Sequence, residues 1–254
     1  MFVLRSTNMK FLFSIFILTL LGASTASAKD DITKELMTSN GKTRAYYLYV
    51  PSTIKTESPA PLILMLHGSG RVGLSLAEKW KDLAKKENFI IAGPDSSNSQ
   101  GWGMPQDGPD FLRDLVEELK KKYPINPRRI YLFCHSAGAI FALEISLMES
   151  EYFAATAVHA GALPPDDRDL IQMAKRKIPM FIQVGDSDQS FPLKAVRATR
   201  DLLNQNGFSV EVTEIPKHDH WYYELAPKIN LAAWDFLKKY ELNQDPVYRT
   251  FHFN

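Results

Sequence analysis

The chain has 254 residues, 45% of them hydrophobic and 23% charged, with 30 basic against 29 acidic side chains. A formal charge of +1 without a basic cluster excludes the electrostatic footprint of a nucleic-acid binder or an anionic-surface binder and points to a small or neutral partner. The single cysteine, Cys134, excludes an intramolecular disulfide, so stability must come from a buried core, which a chain of this length can build as one α/β domain.

Residues 1–28 read as an export signal. Arg5 and Lys10 give a positive flank, Phe11–Leu21 is apolar apart from Ser14 and Thr19, and Ala26-Ser27-Ala28 supplies the small residues of a cleavage site. Met9-Lys10 would make a more compact start of the same signal. The apolar run of 11 residues falls short of the roughly 20 that a membrane span needs. The expectation is therefore an exported, periplasmic or secreted protein with no stable span after cleavage. Removal of this segment takes away two basic and no acidic side chains and leaves 226 residues with a charge of −1. A single domain over 29–240 and a tail over 241–254 follow, since no repeat, low-complexity tract or Gly/Ser linker divides the chain.

Asn40-Gly41 lies between the β-prone runs Ile32–Thr38 and Thr43–Val50, the strongest short signal for a hairpin. After Pro51–Pro61, six short apolar runs predict buried parallel strands: Leu62–Leu66, Phe89–Ala92, Ile130–Phe133, Ala154–Val158, Met180–Val184 and Val210–Ile215. Helix-length stretches alternate with them over Leu76–Glu87, Phe111–Tyr123, Ala137–Met148, Leu193–Asn206 and Leu225–Tyr240, with a short piece at Asp167–Ala174. Phe111, Leu112, Leu115, Val116 and Leu119 recur three and four apart, so that helix carries one apolar face. The alternation predicts an α/β fold, a mostly parallel central sheet with helices on both faces and an N-terminal antiparallel hairpin. Ligands bind such sheets at the carboxyl ends of the strands. The tail, with Pro246, Tyr248, Phe251 and Phe253, is compatible with a cap on the fold, a partner contact or disorder.

The strand-like run Ile130–Phe133 ends in Cys134-His135-Ser136-Ala137-Gly138 just before a helical pattern. That is the setting of a nucleophile elbow, a sharp turn that exposes a serine hydroxyl over a helix N-terminus. Small residues are required two positions either side of Ser136. Gly138 meets the demand, and Cys134 stands where glycine is usual. The bland reading of Ser136 is an ordinary helix N-cap. A serine nucleophile needs a histidine base oriented by a carboxylate, downstream in the order Ser, Asp, His. Asp186 and Asp188 follow one strand, His218 and His220 the next. His218-Asp219-His220 carries metal-ligand residue types, but no second His/Cys cluster completes a shell, so no metal is expected.

With these residues the chain resembles the α/β-hydrolase superfamily, specifically the small secreted esterases grouped with polyhydroxybutyrate depolymerase-like, feruloyl esterase-like and dienelactone hydrolase-like proteins. The likeness runs from about Thr43 to Tyr240. It implies that the acid lies in a Gly-x-x-Asp-x-x-apolar-Pro segment, matched by Gly185, Asp188, Phe191 and Pro192, and that the base precedes an aromatic residue, matched by His220 and Trp221. The implied triad is Ser136, Asp188 and His220, acting through an acyl-enzyme. His67-Gly68-Ser69-Gly70 resembles the His-Gly loop of lipases and esterases, so the N–H groups of Ser69 and Ala137 are the expected oxyanion donors and His67 a brace. Trp102 and Trp221 are expected to wall the substrate site, with His159 a weaker candidate.

The stretch between Val158 and Pro179 is too short for a cap domain, which predicts an open site for soluble or polymeric esters. Carbohydrate-linked aryl or acetyl esters and hydroxyalkanoate esters are the substrates the resemblance implies, with no cofactor. A prolyl-oligopeptidase-like peptidase and a catalytically dead binding protein on the same fold are the rival readings. Oligomeric state is not legible.

Overall fold

The computed structural model describes residues 31–251. The expected export signal over 1–28, and Phe253 of the tail, lie outside the described residues. Strands β1 (Thr33–Ser39) and β2 (Lys42–Tyr49) form the expected hairpin, with Asn40 at φ 48° and Gly41 at φ 72°. Both turn residues are left-handed, as the two-residue hairpin turn that matches strand twist requires. The six apolar runs become β3 (Ala60–Leu66), β4 (Ile90–Pro94), β5 (Ile125–His135), β6 (Ala155–His159), β7 (Met180–Gly185) and β8 (Val210–Ile215). They form one eight-stranded sheet in the order β1-β2-β4-β3-β5-β6-β7-β8. The β1–β2 and β2–β4 pairings are antiparallel and the others parallel.

Each central strand feeds two cores, because successive side chains point to opposite faces. In β5, Leu132 and Cys134 face the core under α2 (Pro109–Lys122), α3 (Ala137–Met148) and α4 (Leu193–Gln205). Tyr131 and Phe133 face the core under α1 (Leu74–Glu87) and α5 (Tyr222–Leu237). The short piece is a 3₁₀ segment, Pro165–Met173, against α3. Two elements start three or more residues ahead of the sequence pattern. β5 starts five residues early, because Ala60 pairs with Ile125 across an irregular register and draws the polar Asn126–Arg129 stretch into the strand. α5 starts at Tyr222, ahead of Pro227, because the buried Tyr222 hydroxyl donates to Asn230 Oδ1 at 2.5 Å and closes the first turns.

Two polar networks hold the loops at the strand ends. Arg44 on β2 is buried against Asp107 at 2.6 Å, donates to the carbonyls of Gln106 and Asp95 at 2.6 and 2.8 Å, and lies 3.6 Å over the Phe111 ring. Asp107 also accepts from Ser97 N–H, Ser97 Oγ and Gly103 N–H, so both charges are satisfied and the 95–107 loop is pinned to the sheet. The second network is a run of buried imidazoles. His135 Nδ1 lies 3.1 Å from His159 Nδ1, and His159 Nε2 lies 3.1 Å from His218 Nε2, which ties β5 and β6 to the loop before α5. Burial, then the neighbouring imidazoles, drive the pKa of His135 down to about 3 and that of His159 to about 2.

The tail takes the capping alternative. Tyr248 donates to Asp110, its ring lies under the Arg113 guanidinium at 3.9 Å, and Arg249 Nη1 donates to the Met173 carbonyl at 2.6 Å. Val247 N–H donates to Glu151 O at 3.2 Å. The chain end thus spans α2, α3 and the 3₁₀ segment.

Asp107→Ala strands a buried guanidinium and is expected to remove about 3 kcal/mol, the lower end for breaking a buried pair because Arg44 keeps two carbonyl acceptors. Urea unfolding measures it, and a loss under about 1 kcal/mol would show that the pair is not what pins the loop. Stability should also fall in acid. The unfolded chain takes up protons on these histidines near pH 6.5, which the folded chain refuses down to about pH 3 for His135 and about pH 2 for His159. Their contribution is full above pH 6.5 and drains at up to about 1.4 kcal/mol per pH unit for each ring below it. Glu144 and Glu149, pushed up to about 8 by burial, act with the opposite sign above pH 4.5. The readout is therefore a difference: the stability of wild type relative to His159→Asn should decline as the pH falls from 6.5 to 4.5, by up to about 1.4 kcal/mol per pH unit, and a difference that does not change with pH would contradict the linkage.

Candidate active site

Ser136 sits between the end of β5 and the start of α3 with φ 57° and ψ −121°. A non-glycine residue in this region costs roughly 1–3 kcal/mol, and such strain collects at functional sites. Its N–H is satisfied by His159 O at 3.1 Å. The turn closes only because residue 138 is glycine: a Cβ there would lie 2.1 Å from the Leu66 carbonyl oxygen. Cys134, at the other crowded position, is fully buried between Leu66 and Val158 in the strand register. Burial pushes its thiol pKa up, so it packs as a small apolar residue and offers no thiolate.

The loops after β7 and β8 bring two further side chains to this turn. His220 Nε2 lies 2.9 Å from Ser136 Oγ, and His220 Nδ1 lies 2.9 Å from Asp188 Oδ2. Asp188 has no exposed side-chain surface, and its other oxygen accepts from the N–H groups of Ser190 and Phe191 at 2.8 and 2.9 Å. Because a carboxylate only accepts, the proton belongs on Nδ1, and the Nε2 lone pair faces the serine hydroxyl, which donates to it. The imidazole is sandwiched between Phe191, with ring centroids 5.7 Å apart at 15°, and His135, 5.1 Å away. The alternatives lie elsewhere. Asp186 accepts from Lys217 N–H and Ser187 Oγ at the surface, and His218 turns inward to His159. Gly185 makes room for that inward turn, since a Cβ on it would lie 2.0 Å from His218 O.

Ser136 opens on a cleft of about 250 Å³ lined by Gly68, Ser69, Arg71, His135, His220, Trp221 and Tyr223. Gly68 crosses beside the serine: a Cβ on it would lie 3.2 Å from Ser136 Cβ. Among the described residues the Ser69 N–H finds no acceptor, while its hydroxyl donates to Gln100 O at 2.7 Å. The Ala137 N–H opens α3, where the first turn lacks intrahelical acceptors. His67 is a brace, accepting from Ser96 N–H at 3.2 Å through Nε2, with burial lowering its pKa.

Of the two expected wall tryptophans, Trp221 lines the cleft, 44% exposed, and Trp102 does not. The Trp102 indole instead donates to His67 O at 2.8 Å and stacks on Phe141, propping the loop from behind. His159 is wholly buried and lines nothing. Three lining residues were missed from sequence: His135 and Arg71 carried no signal of their own, while Tyr223 follows Trp221 by two positions at the start of a helix.

Residues 106–230 match the family model for phospholipases and carboxylesterases. The chain is 27% identical over 172 residues to a putative esterase, NocK, of Nocardia uniformis subsp. tsuyamanensis, covering 60% of this chain and 47% of that protein. It is 27% identical over 152 residues to the bifunctional acetylxylan esterase/xylanase XynS20E of Neocallimastix patriciarum, covering 58% and 22%. The chain thus spans under half the length of these curated relatives. Among solved structures, a ferulic acid esterase superposes with a TM-score of 0.68 at 18% identity, covering 82% of this chain and 98% of that one. An eight-stranded sheet of this order and a strained serine at the strand-to-helix turn give the chain the α/β-hydrolase fold, with esterases as its sequence relatives.

Proposed function

We propose that the protein hydrolyses carboxylic esters with Ser136 as nucleophile, His220 as base and Asp188 as the group that orients the base. The observation that carries the reading is the unbroken hydrogen-bond run from Ser136 Oγ through His220 to Asp188, both contacts 2.9 Å, at a serine held in a strained turn. Ser136 Oγ adds to the ester carbonyl carbon as His220 Nε2 takes its proton, and the carbonyl oxygen becomes an oxyanion. The N–H groups of Ser69 and Ala137 receive that charge, the largest single contribution in acyl transfer. Collapse breaks the bond to the alcohol, which leaves with the proton from His220. Water then repeats the sequence on the acyl-enzyme, His220 serving again as base, and the acid is released with Ser136 restored. The chain supplies nucleophile, base and donors, so no cofactor enters.

The small cleft supports a substrate that inserts one compact group and leaves its bulk in solvent. Carbohydrate-linked aryl or acetyl esters and hydroxyalkanoate esters fit that shape, and relatives named as an acetylxylan esterase and a poly(3-hydroxyalkanoate) depolymerase support the same classes. The leader-like residues 1–28 support export of the domain over 29–240 to the periplasm or medium. Among the described residues no helix is long and apolar enough to cross a membrane.

A fluorophosphonate probe should label the folded protein and fail to label Ser136→Ala. Folded protein that stays unlabelled would overturn the enzyme reading in favour of a binding module. On 4-nitrophenyl acetate, His220→Ala and Asp188→Asn should each lower kcat by roughly a thousandfold with the melting temperature little changed. Asp186→Asn should stay within about threefold of wild type, since that residue faces solvent. The reverse ranking of the two aspartates would show that the orienting acid has been misassigned. Faster turnover of aminoacyl-peptide amides than of aryl esters would favour the peptidase.

A further inference from the structure

We propose that the cleft contains an anion subsite, in which Arg71 binds a carboxylate carried by the ester itself. This rests on the esterase reading above and narrows its substrate class to esters that also bear a free carboxylate, in the acyl or the alcohol part. Arg71 is the one permanently charged side chain among the residues lining the cleft. It is placed by the same turn as the candidate oxyanion donor, because its N–H donates to Gly68 O at 3.2 Å around Ser69. Its guanidinium lies 5.2 Å from the Trp221 ring centroid and 5.3 Å from that of Tyr223. Those two rings meet each other at 5.0 Å, and the Tyr223 hydroxyl donates to Ser75 Oγ at 3.3 Å, which anchors the group to α1.

What is missing around Arg71 is an acid. Arg44, Arg113, Arg128, Arg197 and Arg200 each meet a carboxylate within 3.0 Å. Among the described residues no Asp or Glu pairs with Arg71, although it faces the site where substrate must enter. A guanidinium held over aromatic faces is satisfied on its flat sides only. Among the described residues its N–H edge meets no acceptor, and that edge is the part that grips a carboxylate with two parallel hydrogen bonds. The stacking also fixes the side chain before substrate arrives, which lowers the entropy cost of binding. With a cleft of about 250 Å³, the carboxylate has to lie within a few bonds of the scissile carbonyl to reach both Arg71 and Ser136.

The test uses two pairs of esters that differ only in charge. 4-Carboxyphenyl acetate against 4-carbamoylphenyl acetate places the carboxylate in the alcohol part; mono-(4-nitrophenyl) adipate against its adipamate places it in the acyl part. In at least one pair kcat/KM for the carboxylate should exceed that for the amide by about tenfold, or about 1.4 kcal/mol. The gain should lie mainly in KM and shrink in about 0.5 M NaCl, where screening is strong. Arg71→Gln should bring the ratio to about one, and Arg71→Lys should keep part of it, since lysine retains charge without the fork. Ratios at or below one in both pairs, or a preference that survives Arg71→Gln, would overturn the subsite. Turnover of the neutral esters and probe labelling at Ser136 judge the esterase reading separately: if both are absent that reading fails with the subsite, and if both are present with ratios of one the subsite alone fails.

Discussion

A single backbone conformation sets the demands that the rest of the site meets. For the Ser136 hydroxyl to stand clear of the sheet, a residue with a Cβ has to occupy φ 57°, ψ −121°, which a chain left to itself avoids. The strain is offset locally by the Ser136 N–H bond to His159 O and by the start of α3 directly behind the turn. It also forces α3 against the end of β3, where the space at residue 138 is nil. That contact is productive, since the loop leaving β3 is the one that carries Gly68 and Ser69 past the serine. One strained residue thus brings the candidate nucleophile and the candidate oxyanion donor together.

The imidazole of His220 is placed from two directions. Asp188 fixes the ring from one edge, itself held by two backbone N–H groups, while Phe191 and His135 close on its two faces. The loop that bears it is anchored through His218, which reaches through His159 to His135 on the strand ending at Ser136. His220 and Ser136 are therefore tied to one buried polar network and do not sit on two loops that happen to meet. Such a network is directional and has a low tolerance for protonation, so it trades acid stability for register.

Much of this was legible in the sequence, for reasons that can be named. The two-faced strands appear as short apolar runs, and Asn40-Gly41 declares its turn because few residue pairs accept two left-handed positions in succession. Ser136 and Gly138 could be read because the elbow tolerates so few residues on either side. Other features were hidden. Polar Asn126–Arg129 falls within β5 only because Ile125 pairs with Ala60 ahead of the main ladder, which resumes at Ile130 after a register shift, a tertiary effect without local pattern. Trp102 was misplaced as a wall because proximity to a strand end does not say which way an indole turns, and here a backbone carbonyl of another loop decides it. The histidine run joins residues 24 and 59 apart in the chain, a separation over which periodicity carries no information.

The cleft is also uneven in how firmly its sides are held, and that unevenness divides chemistry from selection. Ser136, His220 and the His67–Ser69 loop are fixed by buried hydrogen bonds, by tight backbone contacts and, through Trp102 and Asp107, by the ion pair with Arg44. At the rim Arg71 and Trp221 are exposed and Tyr223 is half-buried, and these side chains are held by ring contacts and the 3.3 Å bond from the Tyr223 hydroxyl to Ser75. Changing a buried, networked residue disturbs the core, whereas changing an exposed stacked one alters mainly what the rim can touch. A fold arranged this way holds the candidate reacting atoms in place while a few rim side chains can vary, so under the proposed esterase reading the identity of the ester should be sought at residues 71, 221 and 223 and not at the serine.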